Sequence, residues 1–465
     1  MIDEILANFV AFLNFCYRME LIYKETKKYF IETYGCQMNF SDSEIVASIL
    51  TESQYIPTEN YKEADFIFIN TCSIRDNAEQ RVRNRLQEYK SQKKRNPSIK
   101  IGILGCMAER LKEKLLEEEN FIDLIIGPDA YRDLPALISD LEPGQKGINV
   151  LLSNEETYSD INPVRLNSNG INAFISIMRG CENFCSYCVV PFTRGKERSR
   201  NPESIIKEAK DLFENGFREV TLLGQNVNSY RWNENETQFN FSTLIEKIAQ
   251  INPLLRVRFA TSHPKDMSDE LLHIIAKYDN LCKTIHLPIQ SGSNNILNRM
   301  NRKYTREEYL NRIKSIRNII PNCAISTDII TGFCGETEDE HQETISLMKE
   351  VGFDYAFMFK YSERPDTLAS KKYPDDIPEE TKNRRLQEVI DLQQELSYQS
   401  NLKDLNQITQ VLIEGFSKRS KEHLTGRNSQ NKVVIFPKGN YRIGDYSNIL
   451  IKECSSATLK GITSN

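Results

Sequence analysis

The sequence predicts a multidomain α/β protein: an open parallel-sheet domain, then a partial (β/α)6 barrel, then a small antiparallel β-barrel. Its 465 residues allow roughly two to four domains. Strand and helix patterns alternate through two separate regions, which indicates parallel strands joined by helical crossovers. The last segment has short apolar runs between Gly, Asn and Ser-rich turns, a pattern typical of a small β-barrel.

The first domain is predicted over residues 27–145, after an N-terminal extension of residues 1–26. Its four predicted strands are Tyr29–Tyr34, Ala64–Asn70, Lys100–Leu104 and Ile122–Ile126. The run Ser41-Asp42-Ser43-Glu44 predicts a capping box that opens the first helix. A charged amphipathic helix is predicted next, over Asp76–Lys94.

The second domain is predicted over residues 167–400, with helices such as Pro202–Glu214 and Arg306–Ile319 between its strands. Six β/α units are two short of a full eight-fold barrel, so we expect a partial barrel. A long polar helix, Glu379–Leu402, ends this region. The six predicted strands are Ala173–Met178, Glu219–Leu223, Arg256–Ala260, Thr284–Leu287, Ala324–Ile330 and Tyr355–Tyr361.

The third domain is predicted over residues 401–465, with strands Ile408–Ile413, Val433–Ile435 and Ile449–Ile451. It holds ten Lys and Arg against five Asp and Glu, whereas the whole chain has a net charge of −5. A basic end on an acidic body suggests a polyanionic partner.

The composition is that of a globular protein, with 39% hydrophobic and 27% charged residues, and excludes collagen-like or disordered chains. The apolar run Ala7–Tyr17 has about half of the ~20 residues that span a bilayer. Asp3 and Glu4 precede it, where a secretory signal would carry positive charge. We therefore expect a cytoplasmic protein without a membrane partner.

Three cysteines, Cys36, Cys72 and Cys106, each follow the end of a predicted parallel strand by one or two residues. The carboxyl ends of such strands open onto one edge of the sheet, so these thiols should converge. Three thiolates suit an iron–sulfur cluster with one open iron or a zinc site with an open position. The alternative is three buried structural cysteines.

A second cysteine group, Cys181, Cys185 and Cys188, follows the first predicted barrel strand. The short spacing allows one loop to wrap a single metal centre and leaves one position free for a ligand. Clustered cysteines in a large intracellular chain bind metal more often than they form disulfides.

Basic and aromatic residues interleave in the C-terminal domain, where Phe416, Phe436 and Tyr441 lie among the cations. Such mixtures suit phosphate contacts and base stacking on single-stranded RNA. A solvated basic face is the alternative. The candidate RNA contacts are Lys418, Arg419, Lys421, Arg427 and Lys432.

Several motifs resemble those of the radical SAM (S-adenosylmethionine) methylthiotransferases. The segment RGCENFCSYCVVPFTRGKERSR resembles their radical SAM signature, and LIEGFSKRSKEHLTGRNSQNKVVIFP resembles their TRAM domain. YGCQMN, NTCSIRDNAEQ and LGCMAER resemble their N-terminal cluster-binding domain. One departure is Cys334 in GFCGET, where many relatives are expected to have Pro.

The resemblance implies two [4Fe–4S] clusters and S-adenosylmethionine, used twice per turnover. The Cys181/Cys185/Cys188 cluster would hold S-adenosylmethionine, and the Cys36/Cys72/Cys106 cluster would supply the sulfur. Gly224, Gln225 and Asn226 stand where the family contacts the methionyl amino group, although a simple strand-ending turn is the alternative.

Further contacts to S-adenosylmethionine or to the substrate are predicted from position. Ser262, Gln290 and Asp328 lie at later strand ends, where the chemistry of barrel enzymes is usually found. Arg194, like Arg198 and Arg200, is predicted to meet the S-adenosylmethionine carboxylate or a tRNA phosphate, with an ion pair as the alternative.

The implied activity adds a methylthio group to carbon 2 of N6-isopentenyladenosine next to the anticodon of tRNAs. Its partners would be the tRNA anticodon stem-loop and an electron donor such as flavodoxin or ferredoxin, and we expect a monomer. Two alternatives remain open. A sister enzyme would act on threonylcarbamoyl-adenosine or on an aspartate of a ribosomal protein, and an RNA-binding iron–sulfur redox sensor would have no turnover.

Overall fold

The computed structural model of the chain describes residues 27–72, 76–142, 144–166, 169–234 and 237–464. The predicted extension, residues 1–26, lies outside the described residues. The described residues divide into two compact units, one within residues 1–153 and 161–166 and the other within residues 154–160 and 167–465. Within the described ranges, no helix has the length and apolar character needed to cross a membrane.

The first unit contains one six-stranded sheet, parallel throughout, with strand order β2-β1-β3-β4-β5-β6. This confirms the predicted open parallel-sheet domain. The strands are β1 (Lys28–Tyr34), β2 (Ile56–Pro57), β3 (Phe66–Thr71), β4 (Lys100–Leu104), β5 (Leu124–Ile126) and β6 (Gly147–Asn149). The helices are α1 (Gln37–Glu52), α2 (Asp76–Arg95), α3 (Cys106–Leu111), α4 (Glu113–Glu118) and α5 (Leu134–Ser139).

The predicted capping box at Ser41–Glu44 is wrong. Helix α1 begins four residues earlier, after Cys36, whose backbone is extended (φ −94°, ψ 169°) and whose carbonyl accepts from Asn39 N at 3.0 Å. Ser41, the predicted cap, therefore lies inside the helix and is buried. Ser43 is buried as well, and its hydroxyl lies 2.7 Å from Thr33 Oγ1. The sequence suggested a helix start because a buried serine and a capping serine look alike there.

The second unit begins with a six-stranded partial barrel, as predicted. Two parallel sheets, β13-β10-β7 and β14-β15-β16, are joined by a parallel bridge between Val257 and Leu281. The six barrel strands are β7 (Asn172–Ser176), β10 (Glu219–Leu223), β13 (Arg256–Ala260), β14 (Thr284–His286), β15 (Ala324–Thr331) and β16 (Tyr355–Lys360). Two separate antiparallel pairs are formed by β8 (Met178–Arg179) with β9 (Arg198–Ser199) and by β11 (Arg231–Glu234) with β12 (Thr237–Asn240).

Amphipathic helices cover the outside of this barrel. The core residues Val220 and Leu222 of β10 face them, and both are fully buried. The helices are α6 (Val190–Arg194), α7 (Pro202–Glu214), α8 (Phe241–Ala249), α9 (Asp269–Lys277), α10 (Asn294–Arg299), α11 (Arg306–Ile319), α12 (Glu338–Val351), α13 (Leu368–Lys372) and α14 (Glu379–Leu402).

The second unit ends in a closed five-stranded barrel with strand order β17-β18-β19-β21-β20. Its strands are β17 (Ile408–Ser417), β18 (Ser420–Arg427), β19 (Val433–Pro437), β20 (Tyr446–Cys454) and β21 (Leu459–Thr463). The β-barrel prediction is confirmed, but the sequence missed β18 and β21. Strand β18 has few apolar residues, and Leu424 and Gly426 alone are buried along it. The β19–β21 pair that closes the barrel is parallel.

Candidate functional site

The first cysteine group lies at the carboxyl edge of the sheet in the first unit. Strand β3 pairs with β1 up to Thr71 opposite Tyr34, and with β4 up to Asn70 opposite Leu104. Cys36, Cys72 and Cys106 directly follow these three adjacent strand ends. A Cβ atom built on Gly35 would lie 2.3 Å from Cys72 Cβ, so the loops of Cys36 and Cys72 are in contact.

Two buried asparagines connect the three cysteine loops. Asn39 Nδ2 donates to Asn70 Oδ1 at 3.1 Å, and Asn70 Nδ2 donates to the Asn39 carbonyl at 2.9 Å. The Cys36 thiol donates to Asn39 Oδ1 at 3.1 Å. Gly105, next to Cys106, has φ +85°, and a Cβ there would lie 2.3 Å from Asn70 Oδ1. The amide pair therefore fixes the spacing of all three loops, a role that the sequence did not reveal.

The second cysteine group lies in a tight loop between β8 and α6. Gly180 has φ +80°, and a Cβ there would lie 1.9 Å from the Lys196 carbonyl oxygen, so glycine is required. Cys181 N donates to the Gly195 carbonyl at 3.2 Å, which folds the loop back on itself. Three thiols follow this turn within eight residues.

Hydrogen-bond donors point at the sulfur atoms of this loop. Arg302 Nη1 lies 3.1 Å from Cys185 Sγ, and Val190 N lies 3.5 Å from Cys188 Sγ. Burial raises the pKa of Cys181 to about 11 and raises the pKa of Cys188 as well. Such buried thiols need a bound cation to ionise, and the donors then stabilise the thiolates. This donor set fits a thiolate-bound cluster.

Each cysteine group offers three thiols, a number that suits an iron–sulfur cluster with one open iron or a zinc site with one open position. In the part of the chain that the structure describes, no three Cys, His, Asp or Glu side chains are placed to hold one metal ion.

The carboxyl ends of the barrel strands carry buried polar atoms with no hydrogen-bond partner among the described residues: Gln225 Oε1, Asn226 Oδ1, Ser262 Oγ and His263 Nε2. Leaving such an atom unpaired costs about 1–3 kcal/mol. Several at one end of a barrel indicate a polar ligand at that end. Three of these residues are among the predicted S-adenosylmethionine contacts.

The other predicted contacts occupy different positions. A Cβ on Gly224 would lie 2.4 Å from Met178 Cγ, so this glycine permits a close approach to β8. Gln290 has φ +74°, and its backbone bridges β15 through Asp328 O and Ile330 N, both at 2.9 Å. Asp328 Oδ1 lies 3.4 Å from His286 Nε2 inside the barrel.

The three arginines after the cysteine loop have separate environments. Arg194 is the last residue of α6 and is 2% exposed. Arg200 forms a buried ion pair with Glu208, so the ion-pair alternative applies to it. Arg198 Nε donates to the Glu156 carbonyl at 3.1 Å.

The predicted RNA contacts fall into two groups. Lys418, Arg419 and Lys421 are exposed around the β17–β18 turn. Arg427 and Lys432 instead contact the protein itself: Arg427 Nε lies 3.4 Å from Glu414, and Lys432 Nζ lies 2.7 Å from Asp404.

The C-terminal barrel is held against the amino ends of strands β10 and β13. Arg258 Nε donates to Glu219 Oε2 at 2.8 Å, and its Nη2 donates to the Asn428 carbonyl at 2.7 Å. Arg256 Nη1 donates to the Arg427 carbonyl at 2.6 Å and stacks over Tyr446. The sequence offered one signal, two arginines alternating with apolar residues in a buried strand.

Three protein families match consecutive parts of the chain. Residues 28–127 match the Uncharacterized protein family UPF0004, residues 175–348 the Radical SAM superfamily, and residues 403–463 the TRAM domain.

Curated relatives match nearly the whole chain. A tRNA-2-methylthio-N(6)-dimethylallyladenosine synthase from Amoebophilus asiaticus is 56% identical over 448 residues, covering 94% of this chain and 92% of the relative. A protein of the same name from Parabacteroides distasonis is 58% identical over 437 residues, with coverage of 94% and 95%.

Solved structures share the fold at low sequence identity. The radical S-adenosylmethionine methyltransferase TsrM from Kitasatospora setae, with cobalamin and a [4Fe-4S] cluster bound, gives a TM-score of 0.54 at 12% identity. The match covers 74% of this chain and 77% of TsrM. This likeness supports the architecture alone.

Proposed function

The chain belongs to the family of the tRNA-2-methylthio-N(6)-dimethylallyladenosine synthases, and we propose that it adds a methylthio group to carbon 2 of N6-isopentenyladenosine next to the anticodon of tRNAs. The observation that carries the proposal is identity of more than half over nearly the full length of these relatives. The order of the three matched families along the chain agrees with it.

The cofactors that we propose are two [4Fe–4S] clusters and two molecules of S-adenosylmethionine per turnover. When bound, these groups supply the electron that cleaves the sulfonium and the sulfur that is transferred. Cys181, Cys185 and Cys188 would hold one cluster, and Cys36, Cys72 and Cys106 the other. A flavodoxin or ferredoxin would supply the electrons. The enzyme itself would act in the cytoplasm as a monomer.

The chain's own residues orient these groups. Arg302 donates toward Cys185 Sγ and keeps positive charge beside the cluster loop. The unpaired oxygens of Gln225, Asn226 and Ser262 would accept from the ammonium and ribose donors of S-adenosylmethionine. The Asn39–Asn70 pair holds the loops of Cys36, Cys72 and Cys106 in place.

The exposed cations around the β17–β18 turn would hold the RNA. Lys418, Arg419 and Lys421 lie together there, and Lys438 Nζ lies 5.3 Å from the centre of the exposed Phe416 ring. Phosphate neutralisation supplies most of the sequence-independent affinity for nucleic acid. We place the tRNA stem-loop on this face and not beside Lys432, whose ammonium is paired with Asp404.

The test is anaerobic turnover of the reconstituted protein with S-adenosylmethionine and dithionite on isopentenylated tRNA. Nucleoside mass spectrometry should detect the methylthiolated base together with 5′-deoxyadenosine. Product on threonylcarbamoylated tRNA alone would identify the sister enzyme. Binding of tRNA without any deoxyadenosine release would identify a sensor.

A further inference from the structure

An aromatic surface with a carboxylate beside it lines the inside of the barrel at its last strand. Side chains alternate between the two faces of a strand. Ala356 of β16 is 1% exposed beneath the helices, whereas Tyr355 and Phe357, on the other face, are 53% and 42% exposed. Their rings meet edge to face with centroids 5.0 Å apart. We call Tyr355, Phe357, His286 and Asp328 the β16 patch.

The polar part of the β16 patch is fixed by strand register. Asp328 lies directly opposite Phe357 in the β15–β16 pair, and His286 lies opposite Ser326 in the β14–β15 pair. His286 Nε2 is 3.4 Å from Asp328 Oδ1, and its Nδ1 is 3.0 Å from Ser326 Oγ. The imidazole also packs edge to face on Phe357, with centroids 5.7 Å apart.

The exposure of this patch is unusual for the inside of a barrel. Strand β16 is paired along one side, to β15, among the described strands, so its inner face borders an opening. Exposed apolar patches that are rimmed by polar residues mark interaction sites or ligand-binding grooves. The side chains of His286 and Asp328 are 21% and 28% exposed, so a ligand can reach both.

We propose that the β16 patch receives the flipped target nucleotide and selects a neutral alkylated adenine over one that carries a carboxylate. The inference rests on the proposed function. Enzymes that modify a base take it out of the stack and hold it against aromatic side chains. In adenine, C2 and C6 are both bonded to N1, and their substituents point in different directions. A base whose C2 faces the carboxyl ends of the barrel strands therefore directs its N6 substituent deeper into the barrel.

The chemistry of the patch matches that substituent. A secondary N6–H is a donor, and the Asp328 carboxylate is an acceptor within the same face. Phe357 and Tyr355 offer apolar area to an isopentenyl chain. A threonylcarbamoyl group would instead bring its own carboxylate toward Asp328, and like charges in a partly desolvated site repel. Asp328 would therefore both accept the hydrogen bond from the N6–H of the isopentenylated base and repel the carboxylate of the threonylcarbamoyl group.

The test measures binding of three anticodon stem-loops to the holoenzyme: isopentenylated, unmodified and threonylcarbamoylated at the target adenosine. Phe357→Ala should weaken binding of the isopentenylated loop by at least about fivefold, and Phe357→Leu should restore part of that loss. Asp328→Asn should reduce the preference for the isopentenylated over the threonylcarbamoylated loop by about tenfold. Tyr398→Ala and Asp391→Asn, both exposed on α14, are the matched controls. They should change neither the affinity for the isopentenylated loop nor the preference for it over the threonylcarbamoylated loop.

The outcomes separate this inference from the proposed function. The role of the β16 patch alone would be overturned if the wild-type protein methylthiolates the isopentenylated loop while Phe357→Ala leaves the affinity for that loop unchanged and Asp328→Asn leaves the preference between the two modified loops unchanged. Wild-type protein that makes no methylthiolated product from that loop would overturn the proposed function. Iron content and circular dichroism of each variant show whether a loss of binding reflects misfolding.

Discussion

Replacing Arg258 with methionine should destabilise the second unit and loosen its C-terminal barrel. The guanidinium is 6% exposed and bonds to Glu219 Oε2 at 2.8 Å, to the Asn428 carbonyl at 2.7 Å and to the Ser429 carbonyl at 3.2 Å. Methionine keeps most of the apolar stem but removes all three hydrogen bonds. Glu219, itself 2% exposed, would keep its charge without its nearest partner.

The size of the effect follows from the burial. Removing one partner of a buried ion pair costs about 3–5 kcal/mol, because the remaining charge is left desolvated. Arg256 Nη1 stays 3.8 Å from Glu219 and offsets part of this loss of stability. The two carbonyls lose their donor at a cost of roughly 1 kcal/mol each where water cannot replace it. We expect a loss of about 4 kcal/mol, or ~1.3 M in the urea midpoint for an m-value of about 3 kcal/mol/M.

The assay is urea unfolding of the apoprotein, monitored by tryptophan fluorescence. Trp232, in β11, is the single tryptophan and packs against the core of the second unit. Arg384→Met removes an exposed ion pair with Glu338 and should shift the midpoint by much less. In the double variant with Glu219→Gln, the two losses should not add, because the pair is coupled. An Arg258→Met midpoint equal to that of Arg384→Met would refute the reasoning.

Three further predictions follow from the sites. Cys72→Ala should still release 5′-deoxyadenosine but form no methylthiolated adenosine, and normal product would make Cys72 a packing residue. Replacing Lys418, Arg419 and Lys421 with Ala should weaken tRNA binding and flatten its dependence on salt, and an unchanged slope in a salt titration would exclude this face. Burial, reinforced by Arg302, lowers the pKa of His263 to about 2 from 6.5. Since the unfolded chain then binds a proton that the folded apoprotein does not, the free energy of unfolding should fall by up to about 1.4 kcal/mol per pH unit below pH ~6.5. His263→Asn should remove that slope between pH 5 and 7 in urea titrations, and an equal slope in both proteins would contradict it.

Local patterns carried most of the fold prediction. The strands Lys100–Leu104, Glu219–Leu223 and Arg256–Ala260 were predicted with the bounds that the structure shows, because each is a short apolar or alternating run with clear ends. The predicted helices Pro202–Glu214 and Arg306–Ile319 also match. Strand β18 was missed because a small barrel buries few of its side chains, which leaves no apolar run to detect.

The sequence by itself determined the two cysteine groups and their place after parallel strands, since both depend on spacing and on neighbouring residues in the chain. Tertiary structure alone decided what surrounds them. The Asn39–Asn70 pair spans 31 residues, and the Arg258 contact to Asn428 spans 170. In the sequence, an asparagine near a turn and an arginine in a strand look like solvated residues. Strand register and domain packing bury them, and burial turns ordinary polar side chains into the partners that position the candidate site.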